Sequence, residues 1–146
     1  MKLRELLPDD IDGCVDVLIA THNAPPWNDH WTEEAGNRNL SEFMSSSRFI
    51  GYAIPESDQL VGALSAHRRT SWTNDETYVD ELFIRPDRQR RGHGKLLMKQ
   101  VERMSQESGL GGVALLTRRD HPAKLFSEKN GYAIAEHVVF MHKEAR

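Results

Sequence analysis

The stretch RPDRQRRGHGKLL, residues 85–97, decides how this chain is read. Four arginines crowd it, two glycines interrupt it, and a helix-like run with Leu97, Val101 and Met104 on one side follows. The segment before it, Thr77–Ile84, is rich in β-branched and aromatic residues and predicts a strand. A strand, a glycine-bearing turn and a helix together present free backbone N–H groups at the positive end of a helix dipole, which suits an anion. Glycine lets that backbone approach a phosphate with no Cβ in the way. The stretch is not a Walker loop, because it lacks the Lys-Ser/Thr pair that holds terminal phosphates and magnesium. It is not a dinucleotide fingerprint either, since Leu97 stands where the third glycine would be. A nucleic-acid surface would need more basic and aromatic residues on one face. Here Lys95, Lys99 and Arg103 share their helix with Glu102, and no aromatic residue interleaves.

Working outward, Met1–Leu7 alternates and predicts a short strand ended by Pro8. Asp9, Asp10 and Asp12 then open a helix that runs to about His22. NAPPWNDHW, residues 23–31, is a loop. Thr32 is a candidate N-cap for a second helix that carries Ala35, Leu40, Phe43 and Met44. Strands are expected at Arg48–Ile54 and Leu60–His67, joined by a polar turn. After the residue 92–94 helix start come a strand at Val113–Thr117 and a helix over Asp120–Lys129, stopped by Asn130-Gly131. Two last strands are expected at Tyr132–Ala135 and His137–His142. Helices interleaved with strands imply a layered α/β sheet. With no repeat and no linker, residues 1–146 read as a single domain.

The composition is 38% hydrophobic and 28% charged, which is that of a soluble globular protein. No apolar run approaches the roughly 20 residues that span a bilayer. The first residues lack the apolar stretch of a signal peptide, so a cytoplasmic protein is expected. The single cysteine, Cys14, excludes an intramolecular disulfide. Seven histidines show no metal-ligand spacing, and no metal is expected. Net charge is −3 but unevenly spread. Residues 1–84 hold six Lys/Arg against fifteen Asp/Glu, and residues 85–146 hold thirteen against seven. One half suits a cationic partner and the other an anionic one.

Gln89-Arg90-Arg91-Gly92-His93-Gly94 resembles the acyl-CoA pyrophosphate loop of the GNAT N-acetyltransferase superfamily, Gln/Arg-x-x-Gly-x-Gly/Ala. The strand DELFIRPD, residues 80–87, is similar to the family's fourth strand. PAKLFSEKNGY, residues 122–132, is similar to its A-x-x-Phe-Tyr-x-x-x-Gly-Phe corner. The order of elements fits along the whole chain. The resemblance implies a mixed, mostly antiparallel sheet of six to seven strands, with splayed central strands and flanking helices. It also implies acetyl-CoA as the acyl donor. The backbone of Leu82, Phe83 and Ile84 would bond the pantetheine arm. The amides from Gln89 through Arg90, Arg91, Gly92, His93 and Gly94 to Lys95 would hold the pyrophosphate, and a backbone amide near Phe83 would polarise the thioester. Asp120 stands where many relatives carry an Asn near the pantetheine. Phe126 fills the family's Phe. Ser127 replaces the Tyr that often meets the leaving thiolate, so a general acid is open at that position. Pairing of late strands into a homodimer is common in the family.

Asp80 and Glu81 sit inside an apolar strand, with side chains expected on opposite faces. By the resemblance Glu81 is the candidate general base, and the alternative is an ion pair with the loop arginines. The family's acceptor pocket maps onto segments holding Trp27, Asp29, Trp31, Trp72, Tyr78 and Asp80. Aromatic rings with carboxylates suit a cationic amine. The expected function is transfer of an acetyl group to a small cationic amine. Two alternatives stand beside it: a protein lysine or N-terminal acetyltransferase, and an acyl-CoA-binding regulatory module without turnover.

Overall fold

The computed structural model describes residues 2–145, which form two compact units, one running to Leu116 and one from Thr117 onward. The first unit carries a five-stranded sheet in the order β1-β2-β3-β4-β5. Its strands are β1 (Arg4–Glu5), β2 (Phe49–Glu56), β3 (Gln59–Arg69), β4 (Glu76–Ile84) and β5 (Val113–Leu115). All neighbours are antiparallel except β4 and β5, which are parallel. Three helices accompany the sheet: α1 (Ile11–His22), α2 (Glu33–Met44) and α3 (His93–Glu107).

Each helix follows from its sequence. Thr32 caps α2 as expected, its hydroxyl accepting from the Ala35 amide at 3.1 Å. Ile11, Val15 and Leu18 line the inner side of α1, and Leu40 and Phe43 that of α2. A Cβ at Gly36 would lie 3.2 Å from the Val15 side chain, so the glycine allows α2 its close seat on α1. These helices cover one sheet face, where Leu18, Leu40, Ala53, Ala63 and Phe83 form one core. Full burial of a leucine such as Leu18 contributes about 2 kcal/mol relative to exposure. On the other face α3 buries Leu97, Met98 and Val101. There Thr77 of β4 meets Ser105 of α3, hydroxyl to hydroxyl at 2.6 Å.

The register of β3 against β4 slips between Ser65 and Ala66: Glu81 pairs with Ser65, and Val79 pairs with Ala66. Asp80 is therefore the extra residue of a β-bulge. The bulge corrects the expectation that Asp80 and Glu81 point to opposite faces. Thr77 and Val79 face α3 by strict alternation. Beyond the bulge the phase reverses, and Glu81 and Phe83 face α1 and α2. Asp80 joins them on that face, where it meets His67.

The sheet has fewer strands than the six to seven expected. Residues 132–142 form no ladder among the described residues, although Val138, Val139, Phe140 and Met141 are β-prone and exposed. A strand needs a partner edge for its backbone groups, and β propensity alone supplies none. The unit from Thr117 holds α4 (Pro122–Lys129), closed as expected at Asn130 and Gly131, with Gly131 at φ +91°. Among the described residues no helix is long and apolar enough to cross a membrane.

Candidate active site

The pairing of β5 with β4 ends at Leu115 and Val79. Residues 80–84 of β4 thus continue with no strand on that side among the described residues, the splay expected of the central strands. The amide of Arg85 donates to Val61 of β3 at 2.8 Å. Alternation then turns the backbone of Phe83 toward β3 and that of Leu82 and Ile84 toward the open side. The expected backbone role of Phe83 is corrected accordingly: Leu82 offers a donor and an acceptor and Ile84 its N–H, while Phe83 supplies a buried ring. The Ile84 carbonyl already accepts from Thr21 Oγ1 at 3.0 Å and from Gln89 Nε2 at 2.9 Å. Gln89 therefore ties the following loop to the end of the strand.

That loop is built to leave amides free. Arg90 sits at φ +64° and Gly92 at φ +86°, two left-handed residues within three positions. Gly92 is the N-cap of α3, and its carbonyl accepts the first helical bond, from Leu96, at 3.0 Å. The amides of His93, Gly94 and Lys95 are the first of the helix and have no intrahelical acceptor. The His93 ring is turned inward and buried, its Nδ1 3.0 Å from the Arg88 carbonyl, so His93 offers its backbone alone. A row of free amides at a helix start, with open space around Gly92, fits a pyrophosphate.

The arginines divide into two pairs. Arg85 bonds Asp87 and Gln59, and Arg88 bonds Glu56 at 2.6 Å and Asp87 at 3.1 Å. Arg88 holds the exposed Glu56 carboxyl below its ordinary range, and Arg85 does the same for Asp87. Arg90 and Arg91 are exposed and make no ion pair among the described residues, so the loop's free positive charge is theirs and that of Lys95.

The face toward α1 and α2 carries the acids. Asp80 Oδ2 lies 2.7 Å from His67 Nδ1. Burial pushes the Asp80 carboxyl above its ordinary range, and the bond from His67 opposes that rise. Tyr78 stacks obliquely on His67 at 5.6 Å, with Arg69 over its ring at 5.8 Å. Burial likewise lifts the Tyr78 hydroxyl. Glu81 meets Asn39 Nδ2 of α2 at 3.5 Å and His22 Nε2 of α1 at 3.6 Å. Glu81 makes no ion pair with the loop arginines among the described residues, so that alternative is set aside.

The structure sorts the aromatic candidates. Trp27 joins the acidic cluster through an edge contact with His22, ring centres 5.4 Å apart. Trp31 packs against the core, and its backbone is clasped by Asn23 through two hydrogen bonds. Its indole N–H donates to Asp29 at 3.2 Å, so both residues organise the loop. Trp72 is 95% exposed in the loop before β4 and is not brought to the cluster. In the second unit Asp120 is exposed and pairs with Arg118 at 3.2 Å. Phe126 is half-buried on α4, and Ser127 is buried. Cys14 is buried on α1, which pushes its thiol up to about 12 and leaves it unreactive as a nucleophile.

Three residues that meet the candidate acids are not among those the sequence predicts: His22, Asn39 and His67. His22 continues the inward stripe of Ile11, Val15 and Leu18 at helical spacing, and Asn39 neighbours Leu40 on α2. A polar residue on an otherwise apolar stripe was the available signal for His22. His67 is legible only once the β3–β4 register places it opposite Tyr78.

Solved structures share the fold. A solved transcriptional regulator from Bacillus halodurans C-125 is similar at a TM-score of 0.78 and 16% identity, over 97% of this chain and 99% of that one. The apo aminoglycoside antibiotic 6'-N-acetyltransferase AAC(6')-Ig from Acinetobacter haemolyticus is similar at 0.77 and 14%, over the whole of both chains. AAC(6')-Iy, solved with the bisubstrate analogue CoA-S-monomethyl-acetylneamine, is similar at 0.76 and 17%, over 99% and 98%. No curated protein matches the chain in sequence. A family model described as the acetyltransferase (GNAT) family matches residues 15–132. With that match over most of its length, the chain belongs to the GNAT acetyltransferase family.

Proposed function

We propose that the chain acetylates a primary amine on a small cationic molecule, with Glu81 as the general base. As a GNAT acetyltransferase it is an acyltransferase that uses acetyl-CoA, which supplies the activated acetyl thioester when bound. The observation that carries the reading is the bulge in β4. It puts Asp80 and Glu81 on one face, at the level where the open edge of the strand begins, with Tyr78 on the ring of Asp80's partner His67 and Trp27 on that of Glu81's neighbour His22. Two acids on one face with aromatic rings nearby suit an ammonium group.

Glu81 takes a proton from the acceptor ammonium and becomes a carboxylic acid, leaving a neutral amine. The amine nitrogen forms the C–N bond as the C–S bond breaks. Its second proton ends on the leaving sulfur, and the products are an N-acetyl amide and coenzyme A. The Leu82 amide, on the open side of β4, is the donor we assign to the developing oxyanion. Arg90, Arg91 and the amides from His93 to Lys95 are assigned to the pyrophosphate, and Ser127 to the leaving sulfur. Asp120 and Phe126 are assigned to the cofactor, Tyr78 and Asp80 to the acceptor. We read residues 1–146 as one domain, supported by a family match that crosses the border between the two units. The exposed run Val138–Met141 supports a homodimer, which equilibrium sedimentation tests.

An acetyl-CoA consumption screen tests the substrate reading, with mass detection of product over aminosugars such as sisomicin, polyamines and lysine peptides. Acetylation of aminosugars or polyamines ahead of peptides is expected. Preference for peptides overturns the small-molecule reading. Binding of acetyl-CoA without any turnover favours the regulatory module.

A further inference from the structure

The Glu81 carboxylate is held from two helices. His22, the last residue of α1, sets Nε2 3.6 Å from Oε2, and Asn39 of α2 sets Nδ2 3.5 Å from Oε1. Both members of the first pair are mostly enclosed, with side chains 15% and 19% exposed. The His22 ring lies edge-on to Trp27 at 5.4 Å and to Phe83 at 6.5 Å. Its Nε2 is buried and makes no hydrogen bond. A buried imidazole nitrogen without a partner is costly, and the oxygen it faces is that of Glu81. A movement of a few tenths of an ångström closes 3.6 Å to a hydrogen bond. Contacts at catalytic groups are commonly long before substrate arrives. The backbone of His22 also accepts from the Asp29 amide at 2.9 Å, which ties the end of α1 to the loop that carries Trp27.

We propose that His22 is a positioning residue for Glu81. It donates from Nε2 to one carboxylate oxygen while Asn39 donates to the other. Each oxygen keeps lone pairs for the acceptor, and the carboxylate is fixed in one orientation. This inference rests on Glu81 being the base.

Two arms test it. In the free protein, NMR of ring-labelled histidine should show a slowly exchanging His22 Nε2 proton, assigned by its absence in His22→Gln. The signal should vanish in Glu81→Ala, and its survival there overturns the pairing. In the kinetic arm, with sisomicin as acceptor, His22→Ala should lower kcat roughly tenfold or more, the range of one lost hydrogen bond to a charged group. The KM for acetyl-CoA should stay unchanged. His22→Gln, which keeps a donor at similar reach, should recover most of the loss. Full turnover by Glu81→Gln overturns the base reading and this inference with it. Loss in Glu81→Gln with normal turnover in His22→Ala overturns this inference alone. If the wild type does not turn over sisomicin, the NMR arm decides.

Discussion

Gly92 and Gly109 sit at opposite ends of α3 and form a matched pair for testing the phosphate loop. Gly92 has φ +86° and Gly109 φ +72°, and a Cβ at either would meet nothing within 4 Å. Neither alanine substitution creates a clash, so the cost is backbone strain alone. A left-handed alanine costs about 1–2 kcal/mol, and reduced freedom of the unfolded chain offsets about 0.4–1 kcal/mol of that. Both variants should therefore lose about 1 kcal/mol, which lowers Tm by roughly 3–4 °C in a domain of this size. Only Gly92 also sets the direction of the amides of His93, Gly94 and Lys95. Relaxing its φ turns at least one of them away. One hydrogen bond to a charged group is worth about 1.5 kcal/mol or more, so the Kd for acetyl-CoA should rise at least about tenfold. Calorimetric titration with acetyl-CoA and a thermal melt on both variants read the two effects separately. Gly109→Ala should bind like wild type. Gly92→Ala binding acetyl-CoA as tightly as Gly109→Ala, at equal melting loss, would refute the cradle.

The hydroxyl pair under α3 should show an asymmetry in urea unfolding. Ser105 Oγ donates to the Val101 carbonyl at 2.7 Å, so Thr77 Oγ1 must donate to Ser105. Ser105→Ala strands a buried Thr77 hydroxyl and should cost about 1–3 kcal/mol, more than Thr77→Val, with the double variant recovering part of the loss. A larger cost for Thr77→Val would reverse the assigned donor. Arg4 grips Asp10 through both oxygens at 2.7 and 2.8 Å and, with the Leu7 amide, holds that carboxyl below its ordinary range. A depressed carboxylate stabilises the fold above the ordinary Asp pKa, and the gain is lost as pH falls through the folded value. Asp10→Asn should thus cost about 1 kcal/mol near neutral pH, and its gap to wild type should close below about pH 4; a gap constant with pH would contradict the pairing.

Local chemistry made the helices, the Thr32 cap, the Gly131 stop and the loop at Gln89–Lys95 legible in the sequence, because each is fixed by residues a few positions apart. What the sequence hid depends on register. Asp80 and Glu81 should alternate by the pleat, and only the extra residue opposite Ala66 brings them to one face. The same slip turns the Phe83 backbone inward and leaves Leu82 and Ile84 open. The partners of the acids come from α1, α2 and β3, so no spacing along β4 could name them. The late strands failed for the complementary reason: Val138–Met141 has strand chemistry but no ladder among the described residues.

Glu81, delivered by the bulge, is assigned as the base of an acetyl transfer. Glu81→Gln keeps size and polarity but cannot take up the proton. Parallel measurement of its acetyl-CoA affinity and of its turnover on an acceptor that the wild type acetylates tests this most directly. Affinity should be unchanged and turnover reduced about 10²-fold or more. Unchanged affinity with wild-type turnover would contradict it.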